Sequence, residues 1–153
     1  MKKNAFTLVE LLVVISIMSI LTMITVSQFT SARIRSRDVA RKADLNSLSK
    51  ALQNYYADYG LFPDQDEIVW GGEFSDATGY VYMKVVPREN TTEMSEYCYE
   101  VSGDSDMFAL YSELENEDDE EYNKWNGVDV SYSCLGTDYN YAIYSSNAGY
   151  GDL

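Results

Sequence analysis

From Phe6 to Phe29 the chain runs for 24 residues with a single charged side chain, Glu10. No other feature limits its fold so strongly. As a helix rising about 1.5 Å per residue, this run would measure about 36 Å, enough to cross a bilayer with some tilt. A buried core helix would need apolar surface on all sides, and the rest of the sequence does not supply it. A removable secretory signal is the other alternative, with Lys2 and Lys3 as its basic start and Thr30-Ser31-Ala32 as its cleavage site. The apolar core of such a signal is about 7–15 residues, much shorter than this run. Within the run, Ser16, Ser19, Thr22 and Thr25 recur at every third position and drift slowly around one face. Small hydroxylated residues mark faces where membrane helices approach closely, although a hydroxyl can also bond back to its own helix.

Charge is distributed unevenly. The whole chain has a formal net charge of −14, yet residues 51–153 alone carry −19, with 22 acids against Lys84, Arg88 and Lys124. A body this acidic repels nucleic acid and anionic lipid, so no nucleic-acid contact by the head surface is expected. Its counter-ions are cations or basic surfaces, and the basic segment at residues 33–50 is one such surface. There is no histidine, which removes most zinc sites and the commonest general base. Acidic pairs abound, but none forms a pattern that resembles a hydrolytic site, and no enzymatic activity is expected. The two cysteines, Cys98 and Cys134, lie in the polar part. In an exported body they would form a disulfide; in a reducing compartment they would be two free thiols.

Beyond the apolar run, Leu45, Leu48, Leu52, Tyr55 and Tyr59 follow steps of three and four, one face of a helix. Gly60 and Pro63 end it. One helix from near Phe6 to Tyr59 is predicted, with a kink allowed near residues 28–32. Segment 64–79 reads as a loop. The stretches YVYMKVV, EYCYEVS and MFALYSELE read as strands, and VDVSYSCL and YNYAIYSS as a hairpin around Gly136. In MFALYSELE, Phe108, Leu110, Ser112 and Leu114 share one face. The expected fold class is α+β: a long N-terminal helix whose second half packs on a small antiparallel sheet.

The segment AFTLVELLVVISIMSIL resembles the N-terminus of type IV pilins and of type II secretion pseudopilins. The basic leader is Lys2-Lys3-Asn4-Ala5, and the helix start is Phe6-Thr7-Leu8-Val9-Glu10. The likeness continues through SARIRSRDVARKADLNSLSKALQNYYADYGLFP, which looks like the stem of major pseudopilins, and covers roughly the first 63 residues. Two departures stand out. Ala5 occupies the position before the cut where the family usually has Gly, and Ser19 and Ser27 stand where many members have Gly and Pro.

The resemblance implies the pilin fold, with a leader at 1–5, a transmembrane and assembly half at 6–30, an amphipathic stem at 31–60 and a β-rich head at 61–153. It implies cleavage between Ala5 and Phe6 by a prepilin peptidase and N-methylation of Phe6. It gives Glu10 a role in filament assembly, pairing with the N-terminal amine of an adjacent subunit. An unpaired carboxylate deep in a bilayer costs about 2.5–3.5 kcal/mol, so a charged partner would favour the assembled state. The expected partners are further copies of the chain in a helical filament, the peptidase, an inner-membrane assembly platform, and the bilayer before assembly. The expected location is the inner membrane with the head outside the cytoplasm, then a periplasmic or extracellular filament. A plain count of basic residues flanking the span gives the opposite orientation. The alternative is a membrane-anchored or secreted module that binds calcium or another ligand. No cofactor or metal site is assigned, although the acidic cluster at Glu115, Glu117, Asp118, Asp119, Glu120 and Glu121 has the oxygen chemistry that calcium uses.

Overall fold

The computed structural model describes residues 6–92 and 94–153. One helix, α1, runs Leu8–Tyr59. Among the described residues nine short strands follow: β1 (Phe74–Ser75), β2 (Val81–Met83), β3 (Cys98–Val101), β4 (Phe108–Ser112), β5 (Lys124–Trp125), β6 (Val128–Asp129), β7 (Tyr132–Cys134), β8 (Thr137–Tyr139) and β9 (Tyr141–Tyr144). The fold is α+β, with helix α1 packed against small antiparallel sheets. The chain divides into two compact units at Arg37 and Asp38.

The first unit is the N-terminal part of α1, and its large apolar side chains are exposed from Phe6 to Ile24 and again at Phe29. The second contains the rest of α1 and all the strands. Leu45, Leu48 and Leu52 are fully buried and Tyr55 nearly so, which places the periodic stripe in the core. Each buried leucine contributes about 1.5–3 kcal/mol from apolar area alone. Tyr59 departs from the stripe. It is 44% exposed, and its hydroxyl donates to Asp76 Oδ2 at 2.8 Å. Gly60, at φ +72°, ends the helix, and its N–H donates to Tyr56 O at 2.7 Å. That left-handed position suits a residue without a Cβ.

The central sheet has the order β3-β4-β9, with Tyr99 opposite Leu110 and Leu110 opposite Ile143. Every residue of β4 is buried, because both faces of this strand are covered. Phe108 and Leu110 join the stem leucines, Phe62, Phe74 and Val86 in one core. Ala109 and Tyr111 join Cys98, Tyr132, Cys134 and Tyr139 in a second. The alternation expected of MFALYSELE is therefore real, but both of its faces are apolar.

Three sequence expectations change. VDVSYSCL is two strands, since β6 pairs with β5 while β7 pairs with β8. The hairpin around Gly136 closes on β8, and β9 leaves it to pair with β4. Segment 64–79 is more than a loop, because it holds a 3₁₀ turn at Gln65–Glu67 and strand β1. Strands of two or three residues leave too little periodicity to be read from sequence.

Cys98 and Cys134 form a disulfide across 36 residues, with a Cα–Cα distance of 6.3 Å. It ties the central sheet to the β7–β8 hairpin. Closing a loop of that length removes about 4 kcal/mol of denatured-state entropy. Cys98→Ser/Cys134→Ser is expected to lower the urea stability of the folded chain by about 2–5 kcal/mol. A loss below about 1 kcal/mol would mean that the two buried clusters hold the hairpin unaided.

Candidate functional site

The helix start is a reciprocal cap. Thr7 precedes α1, and Glu10 is its third residue. Glu10 Oε2 accepts the Thr7 N–H at 2.8 Å and the Thr7 hydroxyl at 2.8 Å, while the Glu10 N–H donates to Thr7 Oγ1 at 3.2 Å. This satisfies N–H groups that a helix start otherwise leaves unpaired. A negative charge in the first turn also complements the helix dipole. Both Thr7 bonds fall on Oε2, and Oε1 accepts none among the described residues. Phe6, next to this cap, is 83% exposed. Ala5, the other side of the expected cut, lies outside the described residues. Thr7 has a positioning role that the charge argument for Glu10 overlooked. The spacing Thr-x-x-Glu before an apolar run is its sequence signature.

Along the apolar helix, the hydroxyls of Ser16, Ser19, Thr22 and Thr25 donate to the carbonyls of Leu12, Ile15, Met18 and Leu21 at 2.7–2.8 Å. All four bond back to their own helix.

In the second unit, the stem holds two head segments through consecutive cations. Arg41 is 2% exposed. Its Nη1 lies 2.7 Å from Asp38 Oδ1 and 2.7 Å from Glu115 Oε1, and its Nε lies 2.7 Å from Glu89 Oε2. Asp38 also accepts the backbone N–H groups of Glu115 and Asn116 at 3.0 and 2.9 Å. Burial opposes the Arg41 charge, but the surrounding carboxylates outweigh it and raise the pKa. Lys42 Nζ lies 2.6 Å from Asp119 Oδ1 and 2.7 Å from Glu121 Oε2, and sits 5.2 Å from the Tyr141 ring centre. Burial opposes this ammonium too, and the two carboxylates more than offset it. Asp44 accepts the Tyr97 hydroxyl at 3.0 Å.

Glu115, Asp119 and Glu121 of the acidic cluster are therefore engaged by stem cations rather than solvated together. Among the described residues no three His, Cys, Asp or Glu side chains converge in a way that could hold a metal ion. The basic surface expected to balance the acidic body turns out, at Arg41 and Lys42, to be internal to the chain. A cleft of about 480 Å³ beside the disulfide is lined by Ile68, Trp70, Tyr97, Tyr99, Leu135 and Tyr139 among others. The hydroxyls of Tyr97, Tyr99 and Tyr139 are already bound to Asp44, the Pro63 carbonyl and the Glu96 carbonyl.

A long apolar helix with a capped carboxylate at its start, preceding a small disulfide-braced head, fits a membrane-anchored protein. Residues 1–26 match the family model described as the prokaryotic N-terminal methylation motif, the prepilin-type leader of type IV pilins and pseudopilins. The match covers 26 of the 153 residues. Proteins carrying this leader are structural rather than catalytic. Neither a curated protein nor a solved structure matches the chain.

Proposed function

We propose that this chain is a non-enzymatic structural subunit of a type IV pilus-like or type II secretion pseudopilus filament. Residues 1–5 are the leader, removed by a prepilin peptidase after Ala5, and the new Phe6 amine is methylated. Residues 6–30 hold the subunit in the inner membrane with the head outside the cytoplasm, and then form the filament core. Residues 31–60 are the stem, and residues 61–153 the outward head. An assembly platform in the same membrane moves the subunit from bilayer to filament. In the filament Glu10 neutralises the Phe6 amine of a neighbouring copy.

The observation that carries this reading is the methylation motif over residues 1–26, continuous with an exposed apolar helix that starts at the Thr7–Glu10 cap. Glu10 Oε1 takes no bond within the described chain, so an amine can approach it without disturbing the cap. The disulfide supports an oxidising location for the head. The test is intact and peptide mass spectrometry of the native protein. A chain that begins at N-methylated Phe6 is the expected result. A chain that begins at Arg33 would replace this reading with a secreted module. An uncut Met1 would replace it with a membrane-anchored head.

A further inference from the structure

Just past the apolar run lies a charged feature that assembly through Glu10 leaves unused. Arg33, Arg35 and Arg37 follow Phe29 on the same helix, and all three are exposed. Arg33 and Arg35 form no ion pair or hydrogen bond among the described residues. Their successors Arg41 and Lys42, by contrast, are held by five carboxylates, those of Asp38, Glu89, Glu115, Asp119 and Glu121.

The spacing matches a membrane boundary. From Leu8 to Phe29 the helix rises about 33 Å, against a hydrocarbon core of about 30 Å. Beyond Phe29, Arg33 stands about 6 Å further along the axis, Arg35 about 9 Å and Arg37 about 12 Å. The headgroup layer adds about 5–8 Å on each side of the core, and a long arginine side chain can reach back to it. At about 100° per residue, Arg33 and Arg35 project from nearly opposite sides of the helix, about 160° apart. A protein surface approaching from one side would meet only part of this set. A headgroup layer surrounds the helix and meets all of it.

We propose that Arg33 and Arg35 form a collar that docks anionic phospholipid headgroups of the leaflet on the head's side of the membrane. Each guanidinium offers two parallel donors to a phosphodiester, a match that a lysine does not reproduce. In the sequence the collar follows the apolar run and precedes residues 51–153, whose charge of −19 would repel anionic lipid. It thus holds the subunit in the membrane until assembly. This inference rests on the membrane-anchored reading and needs neither cleavage nor filament formation.

The experiment uses the full-length uncleaved chain in nanodiscs of phosphatidylcholine and phosphatidylglycerol. A Lys2→Gln/Lys3→Gln background removes the cations at the other end of the span. Spin-labelled versions of the two lipids report which is retained next to the protein. The expected preference for phosphatidylglycerol is about two- to fivefold, abolished by about 1 M salt. It should fall to unity in Arg33→Gln/Arg35→Gln and persist, though weakened, in the corresponding double Lys variant. Absence of any preference in the Lys2→Gln/Lys3→Gln parent chain would overturn the proposal, as would a preference that survives the double Gln change. A photo-crosslinker at position 35 gives an independent reading. Crosslinks to lipid support the collar, whereas crosslinks to the head of a second copy would assign these arginines to a protein contact instead. Processing at Phe6 is measured separately by N-terminal mass, so failure of the filament reading and failure of the collar remain distinguishable.

Discussion

Glu10→Gln is expected to leave the subunit inserted and its helix start intact while abolishing filament assembly. A glutamine at the third helical position can still accept from Thr7, so the cap survives the change. The negative charge does not survive it, and the neighbour's amine loses its counter-ion. Hydrogen bonds to a charged group are worth about 1.5–3 kcal/mol, and the loss recurs at every subunit contact. Thr7→Ala gives the opposite separation. It keeps the carboxylate but removes the cap, at about 0.5–2 kcal/mol of helix-start stability, and should assemble at a reduced level. Membrane extraction measures insertion, and filament shearing measures assembly. Wild-type filaments from Glu10→Gln would show that Glu10 acts only as a helix cap.

The second large effect is predicted in the head. Arg41→Ala should lower its stability by about 3–5 kcal/mol, because removing one partner of a buried ion pair leaves uncompensated charge behind. Here Asp38, Glu89 and Glu115 would face one another without their shared cation. Urea unfolding of the full-length protein in detergent, followed through Trp70 and Trp125, measures the loss. A decrease below about 1 kcal/mol would mean that the cluster is solvated in solution. Arg41→Ala combined with Glu89→Gln should be less than additive, since the two residues share one interaction.

Acid should weaken the same clamps. Burial pushes the Glu89 carboxyl up, but bonds from Arg41 and Thr91 outweigh it and hold its pKa below the ordinary value. Asp119 is held low in the same way, with burial opposed mainly by the Lys42 bond. A depressed folded-state pKa gives stability that is complete above the unfolded value, about 4, and is lost as pH falls through the folded value. The head should therefore become easier to unfold below about pH 4, and Arg41→Ala should flatten that dependence.

Local signals carried much of this structure. The steps of three and four at Leu45, Leu48, Leu52 and Tyr55 fixed the buried face of α1, and Gly60 fixed its end. Both depend on residues a turn or less apart. The Thr7–Glu10 cap is equally local, but a carboxylate in an apolar run draws attention to its charge before its hydrogen bonds. The clamp at Arg41 was not legible. Its partners Glu89 and Glu115 lie dozens of residues away, and with 25 acids in the chain nothing in the sequence singles them out. The head strands were hidden for a different reason. β5, β6 and β7 are two or three residues long, and their pairing is settled by the hairpin turns and by the second buried cluster.

The four hydroxyls along the apolar helix also bear on which neighbours it can choose. Each has given its only proton to a carbonyl one turn back. What Ser16, Ser19, Thr22 and Thr25 present sideways is therefore small size, oxygen lone pairs and, for the threonines, a methyl group. A helix of this kind distinguishes one packing partner from another by contour, as a key does, and carries no polar code for its register along these four positions. In the proposed filament, that register would fall instead to the one carboxylate at its start.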